Sequence, residues 1–197
     1  MDLIEAIAGR RSKGKMMRDE VPPRTLVEQV LGAAVHAANH HDTQPWRFYV
    51  LSGDARAEFG DALADALKAR EAGMDASKLE GLMIAERAKP MRSPVLVVVG
   101  VQSQRDDMME RREDLQAASA AVQCMLLAAD SLGLAAIWRT GDGAYDDRIK
   151  AYFGLRAEDD IAGIVYLGYP DTSLPPLGQR ERVYADRTEW RGPIANN

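Results

Sequence analysis

The segment 94–101 restricts the fold more than any other part of the chain, because it is apolar from Pro94 through Val101. A strand that faces water on one side alternates apolar and polar residues, whereas a strand covered on both faces is apolar throughout. The segment therefore predicts a central strand between two layers of helices. Further strands are predicted at 46–51, 134–138 and 161–167 from their aromatic, β-branched and other apolar residues.

Segments with helical periodicity separate these strands. Apolar residues recur every three or four positions over 23–38, 55–70, 78–88, 115–132 and 146–153, and a short helix is predicted to end before Arg10. Gly133 directly follows the longest of these segments, and glycine is the residue typical of a helix C-terminus. The alternation of helices and strands indicates an α/β or α+β sandwich.

The composition is that of one globular domain and excludes a nucleic-acid-binding surface. Of 197 residues, 46% are hydrophobic and 28% are charged, and the net charge is −5. Neutralising phosphates requires a surplus of lysine and arginine that the chain lacks. The sequence shows no apolar stretch of about 18 residues that would cross a membrane, no signal peptide and one cysteine. We therefore expect a cytoplasmic protein without disulfides.

Arg10, Arg11 and Ser12 directly follow the first predicted helix and form a compact set of anion donors. An arginine guanidinium matches two phosphate oxygens at once, and a serine hydroxyl adds a third donor. The alternative is that the two arginines only complement the negative end of the helix macrodipole. On the residues alone both interpretations stay open, and the first makes this cluster a candidate phosphate site.

The three histidines, His36, His40 and His41, lie within six positions. If the second helix continues through position 40, His36 and His40 share one of its faces. A histidine pair at this spacing can chelate zinc, but only Asp42 lies nearby as a further ligand, so no metal site is predicted. The other interpretation is that the histidines cap the end of a helix.

Gln44 follows the histidines and precedes the strand 46–51. Pro45 forces Gln44 out of helical geometry, so Gln44 marks the turn between helix and strand. Its amide can donate and accept hydrogen bonds at once, as the edge of a heterocycle requires. Gln44 is therefore a candidate ligand-binding residue, unless its side chain only stabilises the turn.

Trp138, Arg139 and Thr140 end the predicted strand that begins at residue 134. Ligands in layered folds bind beyond strand ends, so polar residues at this point are candidates for ligand binding. The alternative is an ordinary strand exit.

Residues 171–197 carry prolines, alternating charges and isolated aromatic residues, without a helical or strand pattern. This segment is either a disordered end or an arm that packs on a partner subunit. Tyr184 and Trp190 favour the arm, because interfaces are enriched in such residues. We therefore divide the chain into a domain at 1–170 and an arm at 171–197.

These motifs, taken in order, resemble the nitroreductase family of FMN-dependent oxidoreductases, in particular its small bacterial members. The motifs are RRS at 10–12, QPW at 44–46, WRTG at 138–141 and IVYLGYP at 164–170. The resemblance extends to about residue 170. It implies an α+β fold, an α-β-α sandwich with a mixed central sheet flanked by helices, and a homodimer that holds FMN at its interface.

The resemblance also implies which residues bind FMN. Residues 10–12 would hold the phosphate and the ribityl chain, and Gln44 would contact the isoalloxazine ring or the ribityl chain. His36 and His40 match positions that approach the flavin. Residues 138–140 match a second wall of the site that is contributed from across the dimer.

The predicted function is that of an oxidoreductase that uses NADH or NADPH to reduce nitroaromatic or quinone-like acceptors through bound FMN. In such a ping-pong cycle FMN would carry the hydride at N5, so no catalytic side chain is predicted. One alternative is an FMN-binding protein without turnover. Others are a related flavin reaction, such as enone reduction or reductive dehalogenation, and a histidine-based metal protein without flavin.

Overall fold

The structure, a computed structural model, describes residues 3–14, 16, 20–104, 107–175 and 183–193. Its helices are α1 (Leu3–Gly9), α2 (Arg24–Ala34), α3 (Ala55–Arg70), α4 (Ala76–Ala88), α5 (Met108–Ser131), α6 (Asp142–Tyr145) and α7 (Asp147–Tyr152). Its strands are β1 (Trp46–Ser52), β2 (Val95–Val101), β3 (Ala135–Arg139) and β4 (Asp160–Gly168). Short 3₁₀ helices occupy His40–Asp42, Pro90–Arg92 and Ala185–Arg187.

The four strands form one sheet in the order β1-β2-β4-β3, and every neighbouring pair is antiparallel. The α+β class is confirmed, but the expected mixed sheet is wrong for the described residues. Two packed helices, α3 and α4, join β1 to β2 and return the chain to the same end of the sheet, so β2 runs opposite to β1. The single helix α5 makes β3 point in the same direction as β2, but β4 lies between them.

Strand β2 is buried at every position, as its apolar sequence predicts. Its side chains alternate between two hydrophobic cores, so Val97 and Val99 contact one core while Leu96 and Val98 contact the other. Helices α2 and α5 cover the first face of the sheet, and α3 and α7 cover the second. Cys124 packs at the margin of the first core, as expected for a small structural residue.

Two helix ends differ from the sequence prediction. Helix α5 begins at Met108 rather than near 115, because the Asp107 carboxylate accepts hydrogen bonds from the backbone N–H groups of Met109 and Glu110. Helix α2 ends at Ala34 rather than near 38. The condition under which His36 and His40 would share a helix face is therefore not met.

The segment after α1 lies along the outer edge of β3. The backbone N–H of Lys13 donates to the carbonyl of Ala136 at 3.1 Å, and the Lys13 ammonium pairs with Asp130 of α5 at 3.0 Å. Further along, Met16 forms an isolated bridge with Pro170. These contacts fix Lys13, directly after the RRS motif, beside the strand that leads into the WRTG motif.

The proposed arm is described in part, at residues 171–175 and 183–193. Tyr184 and Trp190 are exposed there, with 72% and 68% of their surface accessible in the single chain. The remaining arm residues lie outside the described part of the chain, so the division at residue 170 stays a prediction. No helix within the described residues is long and apolar enough to cross a membrane.

Candidate functional site

The first group of predicted site residues lies where the segment after α1 meets β3. We call residues 10–14 together with 138–140 the β3 edge. A Cβ atom added to Gly14 would lie 3.5 Å from Nη2 of Arg139. Gly14 and the Arg139 side chain are therefore in contact. The structure thus places the residues that directly follow the RRS motif against Arg139 of the WRT motif within one chain, rather than across a dimer.

The two arginines of the RRS motif have different surroundings. Nη1 of Arg11 donates to the carbonyl oxygens of Ala8, Gly9 and Arg10 at 2.7, 3.2 and 3.0 Å. Arg11 therefore satisfies the carboxyl end of α1, which is the macrodipole interpretation. Arg10 makes no such contact with its Nη1 atom.

Two buried guanidinium nitrogens at the β3 edge lack an acceptor. Nη1 of Arg10 and Nε of Arg139 are both buried and make no hydrogen bond with any described residue. Leaving a buried charged donor unsatisfied is costly, so native structures rarely contain one without a role. Two such donors, together with the exposed Ser12 two residues after Arg10, fit a site that takes an anion.

A cavity of about 140 Å³ adjoins Arg139 and Thr140 on the α3 side of the sheet. Its wall includes Lys89 and Arg92, from the end of α4 and the 3₁₀ helix that follows it. The Arg139 guanidinium lies 5.5 Å from the centre of the Tyr166 ring, within range of a cation–π contact. Burial raises the pKa of Tyr166, although the positive charges of Arg139 and Arg92 act to lower it. The cavity wall therefore carries three cations, Lys89, Arg92 and Arg139, together with two carboxylates, Glu86 and Asp142, and Lys89 pairs with Glu86.

Trp138 faces the opposite side of the sheet from Arg139, because successive strand residues point in opposite directions. It packs against the core formed with α5, and its indole N–H donates to the carbonyl of Ala162 at 3.0 Å. A side chain at position 163 would clash with this indole, since an added Cβ would lie 2.0 Å from its nitrogen. Gly163 therefore makes room for Trp138, whose polar atom is already satisfied.

The second group of predicted residues lies at the start of β1, and we call residues 40–44 the 40–44 loop. His41, Asp42 and Gln44 have φ values of 55°, 51° and 45°. Such left-handed conformations are uncommon outside glycine and cluster at functional sites. The sequence gives no local sign of this strain, because none of the three residues is glycine.

Several hydrogen bonds hold this loop. The backbone N–H of Gln44 donates to Asn39 Oδ1 at 3.0 Å, and the Gln44 side-chain amide donates to Asp42 Oδ1 at 3.2 Å. The hydroxyl of Thr43 donates to Oδ1 of Asp114 on α5 at 2.7 Å. The Gln44 amide is thus oriented by its neighbours while its side chain stays exposed.

The histidines lie beside α5 and do not form a metal cluster. Nε2 of His40 is 3.9 Å from a carboxylate oxygen of Glu113, and the His40 ring lies 3.9 Å from the ring of His41. His36 is exposed in the turn after α2. An open cavity of about 450 Å³ is lined by Asn39, His40 and Glu113. Among the described residues no group of three or more potential ligands is placed to hold a metal ion.

The β3 edge and the 40–44 loop lie at diagonally opposite corners of the sheet. Strand pairing places Ala136 level with Ser52, across β4 and β2. Lys13, outside β3, is therefore separated from Gln44 by four strand spacings and eight residues of strand length, about 30 Å in all. Thr140 and Gln44 are about 20 Å apart by the same geometry. One chain does not bring the two groups together.

A model described as the Nitroreductase family matches residues 7–169. The chain belongs to this family. The family expected from the RRS, QPW and WRTG motifs is thus confirmed.

Individual relatives match over most of their length. "Putative NAD(P)H nitroreductase YdjA" of Escherichia coli K12 is 31% identical over 170 residues, covering 86% of this chain and 89% of that protein. A nitroreductase-like family protein of Bacillus cereus shares the fold, with a TM-score of 0.80, 24% identity and coverage of 97% and 96% of the two chains. A protein of Desulfovibrio desulfuricans solved in complex with FMN has a TM-score of 0.72 at 25% identity, covering 98% and 99%.

Proposed function

We propose that this nitroreductase-family oxidoreductase binds FMN and uses NADH or NADPH to reduce small aromatic acceptors. The observation that carries the proposal is the pair of buried guanidinium nitrogens at the β3 edge, on Arg10 and Arg139, that lack an acceptor. The FMN in the Desulfovibrio desulfuricans relative agrees with this assignment.

The donor set at the β3 edge fits a phosphorylated cofactor. Arg10 and Arg139 supply charged donors, and the exposed hydroxyls of Ser12 and Thr140 supply neutral ones. Arginine binds phosphate through two parallel hydrogen bonds, which orients the ligand as well as holding it. We assign the FMN phosphate and ribityl chain to these residues, with Arg11 in a weaker role because it already caps α1.

The site is complete only when two chains combine. His40 and Gln44 would contact the flavin ring, yet they lie about 30 Å from the RRS motif in the same chain. A single FMN cannot span that distance. We therefore propose a homodimer in which the β3 edge of one chain and the 40–44 loop of its partner face the same FMN, as expected for a symmetric pair with two equal sites.

When bound, FMN supplies hydride acceptance and donation at N5. The protein's task is to hold the ring, exclude competing reactions and leave one face open to the nicotinamide and then to the acceptor. No described side chain is needed as an acid or base. We propose nitroaromatic or quinone-like acceptors, because a flat aromatic compound can stack on the ring where the nicotinamide was.

The visible spectrum of the purified protein tests this proposal directly. We expect a yellow protein, or one that becomes yellow on reconstitution with FMN, whose absorption bleaches when NADH or NADPH is added without oxygen. A flavin that binds but does not bleach would indicate an FMN-binding protein without turnover. A protein that cannot bind FMN would overturn the proposal.

A further inference from the structure

The strained conformation of the 40–44 loop has to be maintained by contacts with the rest of the chain. Three of its five residues have left-handed backbone angles, which are unfavourable for residues other than glycine. The hydrogen bonds from Gln44 to Asn39 and Asp42 are local and lie at the surface. They cannot by themselves fix the loop against the sheet.

The buried anchor of the loop is Asp114 on α5. Asp114 is 5% exposed, and its two carboxylate oxygens accept hydrogen bonds of 2.7 Å each, from Thr43 and from Ser103. Hydrogen bonds to an ionised carboxylate are stronger than those between neutral groups, and burial increases the cost of losing them. Asp114 therefore joins the centre of the strained loop to the chain that leaves β2.

Ser103 is also held through its backbone, by the Arg156–Asp159 ion pair. Its carbonyl oxygen accepts a hydrogen bond of 2.9 Å from Arg156, and the Arg156 guanidinium binds the fully buried carboxylate of Asp159 at 2.7 Å. Burial by itself raises the pKa of Asp159, but the hydrogen bonds and charge of Arg156 outweigh this and lower it. The connection thus extends from the loop through α5 to the segment before β4.

We propose that Asp114 is a positioning residue for the flavin site, acting through Thr43. Thr43 lies between His40 and Gln44, so the hydrogen bond to Asp114 fixes the directions of the two side chains that would meet the flavin. This inference rests on the proposed function, because the value of the fixed loop lies in the cofactor it contacts. None of the sequence motifs pointed to Asp114, Thr43 or Ser103.

Thr43→Val tests the proposal with little change of shape, because valine replaces the hydroxyl by a methyl group. Thr43→Ser restores the hydroxyl. The matched control is Ser119→Ala, on α5, the helix that also carries Asp114. The Ser119 hydroxyl donates only to the Leu115 carbonyl. In the full-length protein, hydrogen exchange of the peptide covering 39–45 and FMN titration are measured for each variant, before and after FMN is added.

We expect Thr43→Val to speed exchange of this peptide and to weaken FMN binding, each about tenfold, while Thr43→Ser and Ser119→Ala stay within about twofold of the wild type. Wild-type exchange and affinity in Thr43→Val would overturn the proposal. So would an equal loss of affinity in Ser93→Ala, which removes a buried hydroxyl far from the loop at the start of β2. Hydrogen exchange of the 39–45 peptide without FMN tests this inference separately from the proposed function. The proposed function fails only if the wild type does not bind or reduce FMN.

Discussion

The two halves of the proposed site, the β3 edge and the 40–44 loop, differ in where their hydrogen-bonding groups already have partners. At the β3 edge, Arg10 and Arg139 keep buried nitrogens without an acceptor. In the loop, Gln44 and Thr43 donate to acceptors of their own chain, and the strain is in the backbone. The first region therefore gains hydrogen bonds when an anion binds, whereas the second offers a surface whose shape is set in advance. Affinity should depend mainly on the edge, and orientation mainly on the loop.

The largest effect is expected from Arg139→Ala. Removing this guanidinium takes away a charged donor and should weaken FMN binding about a hundredfold in a fluorescence titration. Arg139→Lys keeps the charge but not the planar fork, and should recover part of the affinity. Arg24→Ala serves as a control, because Arg24 is exposed and pairs with Glu28 on the surface. Wild-type affinity in Arg139→Ala would place the phosphate away from the β3 edge.

Mixing two defective variants tests whether the regions combine across chains. In a dimer of His40→Ala with Arg139→Ala, one site loses both residues and the other keeps both. Random pairing should therefore restore about a quarter of the sites to wild-type affinity. Arg10→Ala mixed with Arg139→Ala is the matched control, since both residues lie on the same edge and every site keeps one defect. Recovery in both mixtures, or in neither, would contradict the shared site.

A smaller difference should separate the two neighbouring arginines. Arg10→Ala is expected to weaken FMN binding about tenfold, because Nη1 of Arg10 has no acceptor among the described residues and would donate to the cofactor. Arg11→Ala should cost about threefold, since that side chain already donates to three carbonyls at the end of α1. Parallel titrations of the two variants give the comparison. Equal losses would mean that Arg11 leaves α1 when the cofactor binds.

The last prediction concerns the stability of the fold rather than FMN binding, at the Arg156–Asp159 ion pair that supports the 40–44 loop. Arg156 lowers the pKa of Asp159, so the ionised carboxylate stabilises the fold above about pH 4 and this contribution is lost as the pH falls further. Asp159→Asn should therefore cost about 2 kcal/mol in urea unfolding at pH 7, and less at pH 3. Asp147→Asn, at an exposed carboxylate that pairs with Lys150, should change stability little at either pH. A cost for Asp159→Asn that does not change with pH would contradict the assignment.

The strands could be predicted within a residue or two because their apolar runs are short, continuous and bounded by polar turns. The start of α5 was missed because its first turns are polar and its signal is a capping carboxylate at Asp107. The pairing order was missed for a different reason. Which strands become neighbours depends on contacts between distant segments, which periodicity does not record.

The candidate site also contains some residues that the sequence motifs predict and others that they do not. The motifs located Arg10, Gln44 and Arg139, because donors at helix and strand ends have a recognisable local pattern. Lys89 and Arg92 carry no such pattern, since they approach Arg139 only after the chain between them has folded. The different environments of Arg10 and Arg11 were also beyond prediction, because adjacent identical residues differ only in the direction that each side chain takes.

The position of residues 10–14 beside β3 has a consequence for the order in which the protein is made. Lys13 contacts Asp130, a partner 117 positions later in the chain. During synthesis the first arginines leave the ribosome long before the strand they lie against, and chains grow at about 5–20 residues per second. The RRS motif is therefore outside the ribosome for several seconds before β3 has been synthesised. A nascent chain released before β3 emerges should be unable to retain the cofactor, however well its earlier helices have formed.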